Sequence, residues 1–410
     1  LTGLRLPPEI CWSIIEWVTD DKTALGNFSL VCKDWMHVTR KKLFATVVFR
    51  QSGTAHRLLL EEMIESPFCS IFPYVKTLGI VSCLFLGSKS TEEALVKGDL
   101  IPTWMDKLLS HIPKFTELTA LSLVQRLYLG PKALGMVHIA RFVSELTQLQ
   151  TLIFCEGPSN WWPLVTEYFS PGTTLKEAFA APPLSINSVF MMYPPGPGRS
   201  GSTAQGDATG PKILKWLTNL PRSGATGIHT WFGVGIPIHF PTEFRDFADH
   251  FQITLTRFSF SVFPWEAPDA TSRVLDLQQL LTNLKHVQLN IEFDAFPCIP
   301  NIVAKLPQSL ETICLAVGDD PDESTVWAHL DRVLAETAFP FLRVFEVLWL
   351  RGFHLDNTDG RHWGITHAEL CQYLPRCSVE KNFQLRSTNL DTLNVEGALA
   401  DRRLEYFPYF

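Results

Sequence analysis

Leu284-Lys285-His286-Val287-Gln288-Leu289 and Leu310-Glu311-Thr312-Ile313-Cys314-Leu315 are two copies of one phrase, L-x-x-L-x-L, in which other apolar residues can stand for leucine. Toward the C-terminus the phrase recurs as Leu342/Phe345/Val347 and Leu390/Leu393/Val395. Toward the N-terminus it recurs as Leu255/Phe258/Phe260, Leu149/Leu152/Phe154, Leu118/Leu121/Leu123 and Val75/Leu78/Ile80. The central residues stand 26 (287 to 313), 29 (258 to 287), 31 (121 to 152) and 32 (313 to 345) apart. Within each L-x-L two apolar side chains point to one side of a strand, and the earlier residue packs at the incoming turn. Phe72-Pro73, Leu306-Pro307 and Phe339-Pro340 supply turn-like or helix-ending phrases before several copies. Residues 54–65, 133–146 and 324–336 read as the helices between strands.

A strand and a helix in each unit, at this period, resemble leucine-rich repeats, whose units are stable only when stacked. The resemblance implies an α/β fold in which residues 51–410 form a solenoid of short parallel strands and helices. The array is degenerate: a regular asparagine ladder is missing and unit lengths vary. A non-repetitive α/β domain is the alternative. The interval 160–250 fits worst. Tyr193-Pro194-Pro195-Gly196-Pro197-Gly198-Arg199-Ser200-Gly201-Ser202, polar on to Pro211, reads as a flexible loop at 193–211 that interrupts the array without dividing it into separate domains. A second polar insertion, Gly318 to Ser324, reads as the cap of the next helix.

The first fifty residues follow a different pattern. Pro7 and Pro8 suit the first turn of a helix, where a missing N–H costs nothing. Ile10, Ile14, Trp17 and Val18 then fall on one helical face. Asp20 and Asp21 are capping residues for a second helix carrying Leu25, Phe28 and Val31. Trp35, Val38 and Leu43 mark a third, with Arg40-Lys41-Lys42 near its C-terminal end and Val47-Val48-Phe49 closing the segment. Three helices in about forty residues enclose a very small core, so some of these large apolar side chains are expected to meet a partner. The Leu6-Pro7 pair, Glu9, the isoleucines and Val31-Cys32-Lys33-x-Trp35 together resemble the F-box.

That resemblance covers residues 1–50. It implies docking on the Skp-type adaptor of a cullin–RING ubiquitin ligase through Leu6, Pro7, Ile10, Ile14, Leu25, Val31, Cys32 and Trp35. The implied role is a substrate adaptor for protein ubiquitination, whose repeat domain binds an unknown protein substrate. The alternative is an α/β enzyme or ligand-binding domain with a dispersed site.

Bulk properties are compatible with either. Hydrophobic residues make up 46% and charged residues 19%, so most of the 410 residues must fold. A net charge of −7 argues against a nucleic-acid or membrane-surface protein. Nine irregularly spaced cysteines read as thiols of a reducing compartment. With no bilayer-length apolar run and no basic-then-apolar leader, the expected location is cytoplasmic or nuclear.

Motifs for catalysis or cofactors are weak. Gly196-x-Gly198-x-x-Gly201 lies among prolines without a preceding strand, unlike a dinucleotide-binding turn. His354, Asp356, Asp359, His362 and His367 lack close helical or hairpin ligand spacing, and Cys371 and Cys377 lack a partner pair. No catalytic residue, metal ligand or cofactor is assigned. For target binding, the residues alternating with the buried L-x-L positions form a stripe that is mostly small and apolar. It includes Thr151, Ile153, His286, Gln288, Asn290, Thr312 and Glu346. Such a stripe suits an apolar or mixed peptide rather than a polyanion, unless loops cover it.

Overall fold

The computed structural model describes residues 7–18, 21–31, 33–51, 70–83, 110–126, 136–156, 181–192, 209–221, 227–234, 241–262, 281–291, 293–317, 324–337, 339–351, 366–380 and 383–391, with a few single positions between. The chain forms two compact units, residues 1–185 with 196–198, and residues 186–195 with 199–410. Residue 50, where the sequence suggests a boundary, lies inside the first unit.

The first unit begins with α1 (Pro8–Trp17), α2 (Lys22–Phe28) and α3 (Lys33–Leu43). Proline occupies the first turn of α1. Asp21 caps α2 by accepting from the Ala24 N–H at 2.9 Å. Arg40, Lys41 and Lys42 sit in the last turn of α3, where positive charge suits the exposed carbonyls. Ile15 and Leu25 are buried, and the rings of Phe28 and Trp35 meet edge to face at 5.1 Å. The Arg40 guanidinium donates to Ser70 Oγ at 3.1 Å, Lys41 lies 3.4 Å from Glu117, and the His37 and Tyr74 rings pack at 5.6 Å. The last helix is therefore fastened to the array that follows it.

That array starts at β1 (Thr46–Gln51) and continues through β2 (Thr77–Cys83), β3 (Ala120–Arg126) and β4 (Thr151–Glu156). Each strand pairs in parallel with the next. One row runs Val47, Leu78, Leu121, Leu152, and a second runs Phe49, Ile80, Leu123, Phe154. The helix α4 (Met136–Ser144) crosses between β3 and β4. Val47-Val48-Phe49, read in the sequence as the close of the helical segment, is thus the first strand of the sheet.

The second unit holds seven parallel strands in chain order. They are β5 (Ser188–Met192), β6 (Thr230–Val234), β7 (Arg257–Val262), β8 (His286–Ile291), β9 (Thr312–Val317), β10 (Val344–Arg351) and β11 (Gln384–Asp391). Between them lie α5 (Thr209–Leu217), α6 (Pro241–Phe251), α7 (Ile299–Val303), α8 (Ser324–Glu336), α9 (His367–Tyr373) and α10 (Pro375–Glu380). In a sheet that always steps the same way, crossovers of one hand put the helices on one face. The row Val189, Trp231, Phe258, Val287, Ile313, Phe345, Leu385 is buried throughout, with Trp231 packed on Phe244 and Phe247 of α6. Parallel strands need both long crossovers and buried side chains, and the L-x-L pattern supplies the latter.

A main-chain device recurs where strands begin. The carbonyls of Ala45, Lys76, Thr119, Asn187, His229, Thr256, Lys285 and Glu311 each accept from two consecutive N–H groups of the following strand. Thr256 O, for example, takes Lys285 N at 2.9 Å and His286 N at 3.0 Å. A carbonyl has two lone pairs, and both are used.

Three sequence expectations change. The copy at Leu390/Leu393/Val395 is out of register: β11 runs Gln384–Asp391 and Leu385 is the residue that pairs with Phe345. The 160–250 interval holds two strands. Ile186/Val189/Met191 and Ile228/Trp231/Gly233 occupy the three repeat positions there, with Met, Trp and Gly in place of leucine. The loop placed at 193–211 loses its end, because Thr209, Gly210 and Pro211 open α5, where proline is tolerated; its remainder and the glycine fingerprint lie outside the described residues. The expected helix at 324–336 is observed with those bounds, and that at 133–146 as α4. Most of 54–65 lies outside the described residues.

Candidate functional site

Side chains alternating with the buried row emerge on the face turned away from α6. Between β5 and β10 they line a cavity of about 160 Å³ that includes Arg257, His286, Gln288, Thr312, Cys314 and Glu346. The strand register arranges its walls in two rows. The first carries Thr230, Arg257, His286 and Thr312; the second carries Ser259, Gln288, Cys314 and Glu346. One step further along the strands, Asn290, Ala316 and Leu348 are fully buried. The site is therefore a trench across the strands, two side chains wide and closed at its far edge.

Its polar groups are held by neighbours. Asn290 has no exposed surface; its amide donates to Ser259 Oγ at 3.0 Å and accepts from Gln288 Nε2 at 2.7 Å. This fixes Gln288 at the trench floor. Thr388 Oγ1 donates to Glu346 Oε1 at 2.8 Å from β11. Burial holds the His286 imidazole below its ordinary pKa, and the adjacent Arg257 charge adds to the effect. Nearby Glu311 opposes that shift, but Lys285 engages it at 2.8 Å and keeps its carboxyl below the usual range. The neutral imidazole of His286 can either donate or accept a hydrogen bond. Among the described residues no group of three His, Cys, Asp or Glu side chains could hold a metal ion. His367 is on α9 with Cys371 Sγ at 3.7 Å, while His354, Asp356, Asp359 and His362 lie outside the described residues.

A second surface belongs to the N-terminal helices. Trp17 is 91% exposed and Leu30 84%, with Ile10, Trp12 and Val31 also largely in solvent. Large apolar groups in that number are unusual on a segment this small.

Of the residues expected to dock a partner, Ile10 and Val31 are exposed, as is Pro7, while Ile14 and Trp35 are half-buried. Leu25 is 1% exposed and belongs to the core of the bundle, so it offers no surface. Leu6 and Cys32 lie outside the described residues. Trp12, Trp17 and Leu30 were not singled out as docking residues; helical periodicity marks an apolar face without saying which part of it the other helices cover. Of those expected to face a target, His286, Gln288, Thr312 and Glu346 line the trench. Asn290 does not reach solvent because its amide is used internally. Thr151 and Ile153 are on β4 in the first unit, Ile153 buried and Thr151 half-buried. Arg257 and Ser259 on β7 continue the same stripe one strand before His286 and Gln288. No known protein-family model matches the chain, and no curated protein does. No described helix is long and apolar enough to cross a membrane.

Proposed function

We propose that the chain is the substrate-recognition subunit of a Skp–cullin–F-box ubiquitin ligase, with α1–α3 as the F-box and the strand array as a leucine-rich-repeat-like target-binding region. The observation that carries this reading is the number of exposed large apolar side chains, Ile10, Trp12 and Trp17 on α1 and Leu30 and Val31 between α2 and α3, in the segment whose sequence holds the Leu6-Pro7 and Val31-Cys32-Lys33-x-Trp35 phrases. Each large side chain buried on docking contributes about 1.5–3 kcal/mol before association costs. Leu25 drops out of the docking set, and Trp12, Trp17 and Leu30 join Ile10 and Val31. The trench supports the second half of the reading: a preformed recess lined by polar side chains such as His286, Gln288, Thr312 and Glu346 binds, while ubiquitin transfer follows from holding the target near the charged carrier.

Co-expression with a Skp-type adaptor tests the proposal. The full chain is expected to retain the adaptor through purification, and Leu30→Asp with Val31→Asp to lose it without altering the circular dichroism. A folded chain that captures no adaptor would overturn the reading.

A further inference from the structure

Four neighbouring positions on β8 and β9 form a rectangle inside the trench. His286 stands across from Thr312, and Gln288 across from Cys314. The short side is the strand spacing of about 4.8 Å, and the long side is a two-residue rise of about 7 Å. Three corners carry polar side chains, and the fourth holds Cys314, small and buried in the floor. The charged groups around this rectangle are already answered. Arg257 has a partner, Arg386 of β11 stands beside Glu346 in the same row, and Thr388 donates to Glu346 at 2.8 Å. The groups left over are neutral. Among the described residues the His286 imidazole, the Thr312 hydroxyl and Gln288 Oε1 make no hydrogen bond, because Gln288 commits Nε2, not its oxygen, to Asn290.

An occupant therefore has to bring both a donor and an acceptor. Gln288 Oε1 only accepts, whereas the Thr312 hydroxyl and a neutral imidazole can donate. A carboxylate brings no donor and would have to displace the partner of Arg257; an ammonium brings no acceptor. A hydrocarbon chain would bury three polar groups unanswered. A hydroxyl has both functions on one atom, and two bonds of about 2.8 Å reach partners no more than about 5.6 Å apart. The diagonal from Thr312 to Gln288 is longer, about 8 Å, and side chains standing off the sheet keep that separation. A primary carboxamide holds its acceptor and donor on separate atoms of one carbon, which supplies the missing length. The cavity, about 160 Å³, is below the roughly 300–1,000 Å³ of sites for drug-sized molecules, as suits a single inserted side chain.

We propose that the trench takes the carboxamide of a glutamine or asparagine on an extended target segment. Its amino group donates to Gln288 Oε1, its oxygen accepts from the Thr312 hydroxyl, and His286 flanks both. This rests on the target-recognition reading above and names the residue type recognised.

The test is selection of a random nonapeptide library on the full-length chain, with fluorescence anisotropy of the enriched peptides. Enriched sequences are expected to share Gln or Asn at one position. Changing that residue to Met or to Glu is expected to weaken binding at least about tenfold. Thr312→Val removes only a hydroxyl. It is expected to weaken the carboxamide peptide by about fivefold or more and to leave the Met version unchanged. Dependence on the peptide's own amide separates a direct contact from misfolding, and the peptide changes need no protein variant at all. Enrichment of acidic, basic or wholly apolar peptides, or of none, would overturn the proposal. So would a Thr312→Val loss equal for both peptides. Adaptor capture is measured on the same preparation. A chain that selects the carboxamide peptide but captures no adaptor sinks the ligase reading alone, and the converse sinks the trench alone.

Discussion

Asn290 accepts from Gln288 and donates to Ser259 at a position sealed from solvent. Asn290→Ala would strip a buried hydroxyl of its partner, so it is expected to cost about 1–3 kcal/mol in denaturant unfolding. Asp331 on α8 works in a related way at longer range. Its carboxylate accepts from the N–H groups of Arg376 at 3.2 Å and Cys377 at 3.0 Å, capping α10 from 45 residues away. Asp331→Ala is expected to destabilise by about 2 kcal/mol, a large value for a cap because the site is buried. His286 gives a pH signature. Its folded pKa lies below that of the unfolded chain, so the unfolded state binds more protons as pH falls through the ordinary histidine range. Stability is expected to be highest above that range and to decline on acidification toward the folded pKa. In His286→Gln that part of the slope should vanish. If the slopes were identical by thermal unfolding between pH 7.5 and 5.5, the assignment would fail.

Among the elements, strands were legible where leucine, isoleucine or phenylalanine filled the three repeat positions, because a parallel sheet covered by helices demands bulky apolar side chains at period two. They were not legible where other residues met the same demand. Trp231 fills its position by packing on two phenylalanines, and Gly233 supplies no side chain at all in β6. In β11 the true copy, Leu385-Arg386-Ser387, carries one apolar residue, and the better-looking Leu390/Leu393/Val395 lies eight residues later. The candidate site was half legible: alternation puts His286, Gln288, Thr312 and Glu346 on one face. Which rows stay open depends on burial, and no periodicity encodes that. The junction before β6 shows how tightly elements meet. A Cβ on Gly227 would come within 2.9 Å of Thr254, whose hydroxyl donates to the Ile228 carbonyl at 3.0 Å. Gly227→Ala is therefore expected to lower the melting temperature, and Gly227→Ala with Thr254→Ser to recover part of the loss.

At the scale of the whole molecule, each described strand finds its partner in the neighbouring strand of its own unit, so stability is expected to spread by nearest neighbours. Trp231→Ala removes the bulk of one buried ring and is expected to cost about 3–5 kcal/mol. Hydrogen exchange should then show protection falling most in β5–β7 and least in β10 and β11. A uniform loss across all strands would contradict the nearest-neighbour picture. The doubly accepting carbonyls at the strand starts carry one more consequence. They set register with atoms that every residue possesses, since even proline has a carbonyl. Only the two donors are vulnerable: Lys285→Pro should be harmful where Lys285→Gln is mild, despite the lost ion pair with Glu311. A scaffold aligned this way can let its side chains drift over generations without losing its geometry. Its lineage would then be recorded in backbone spacing long after the letters of the repeat had worn away.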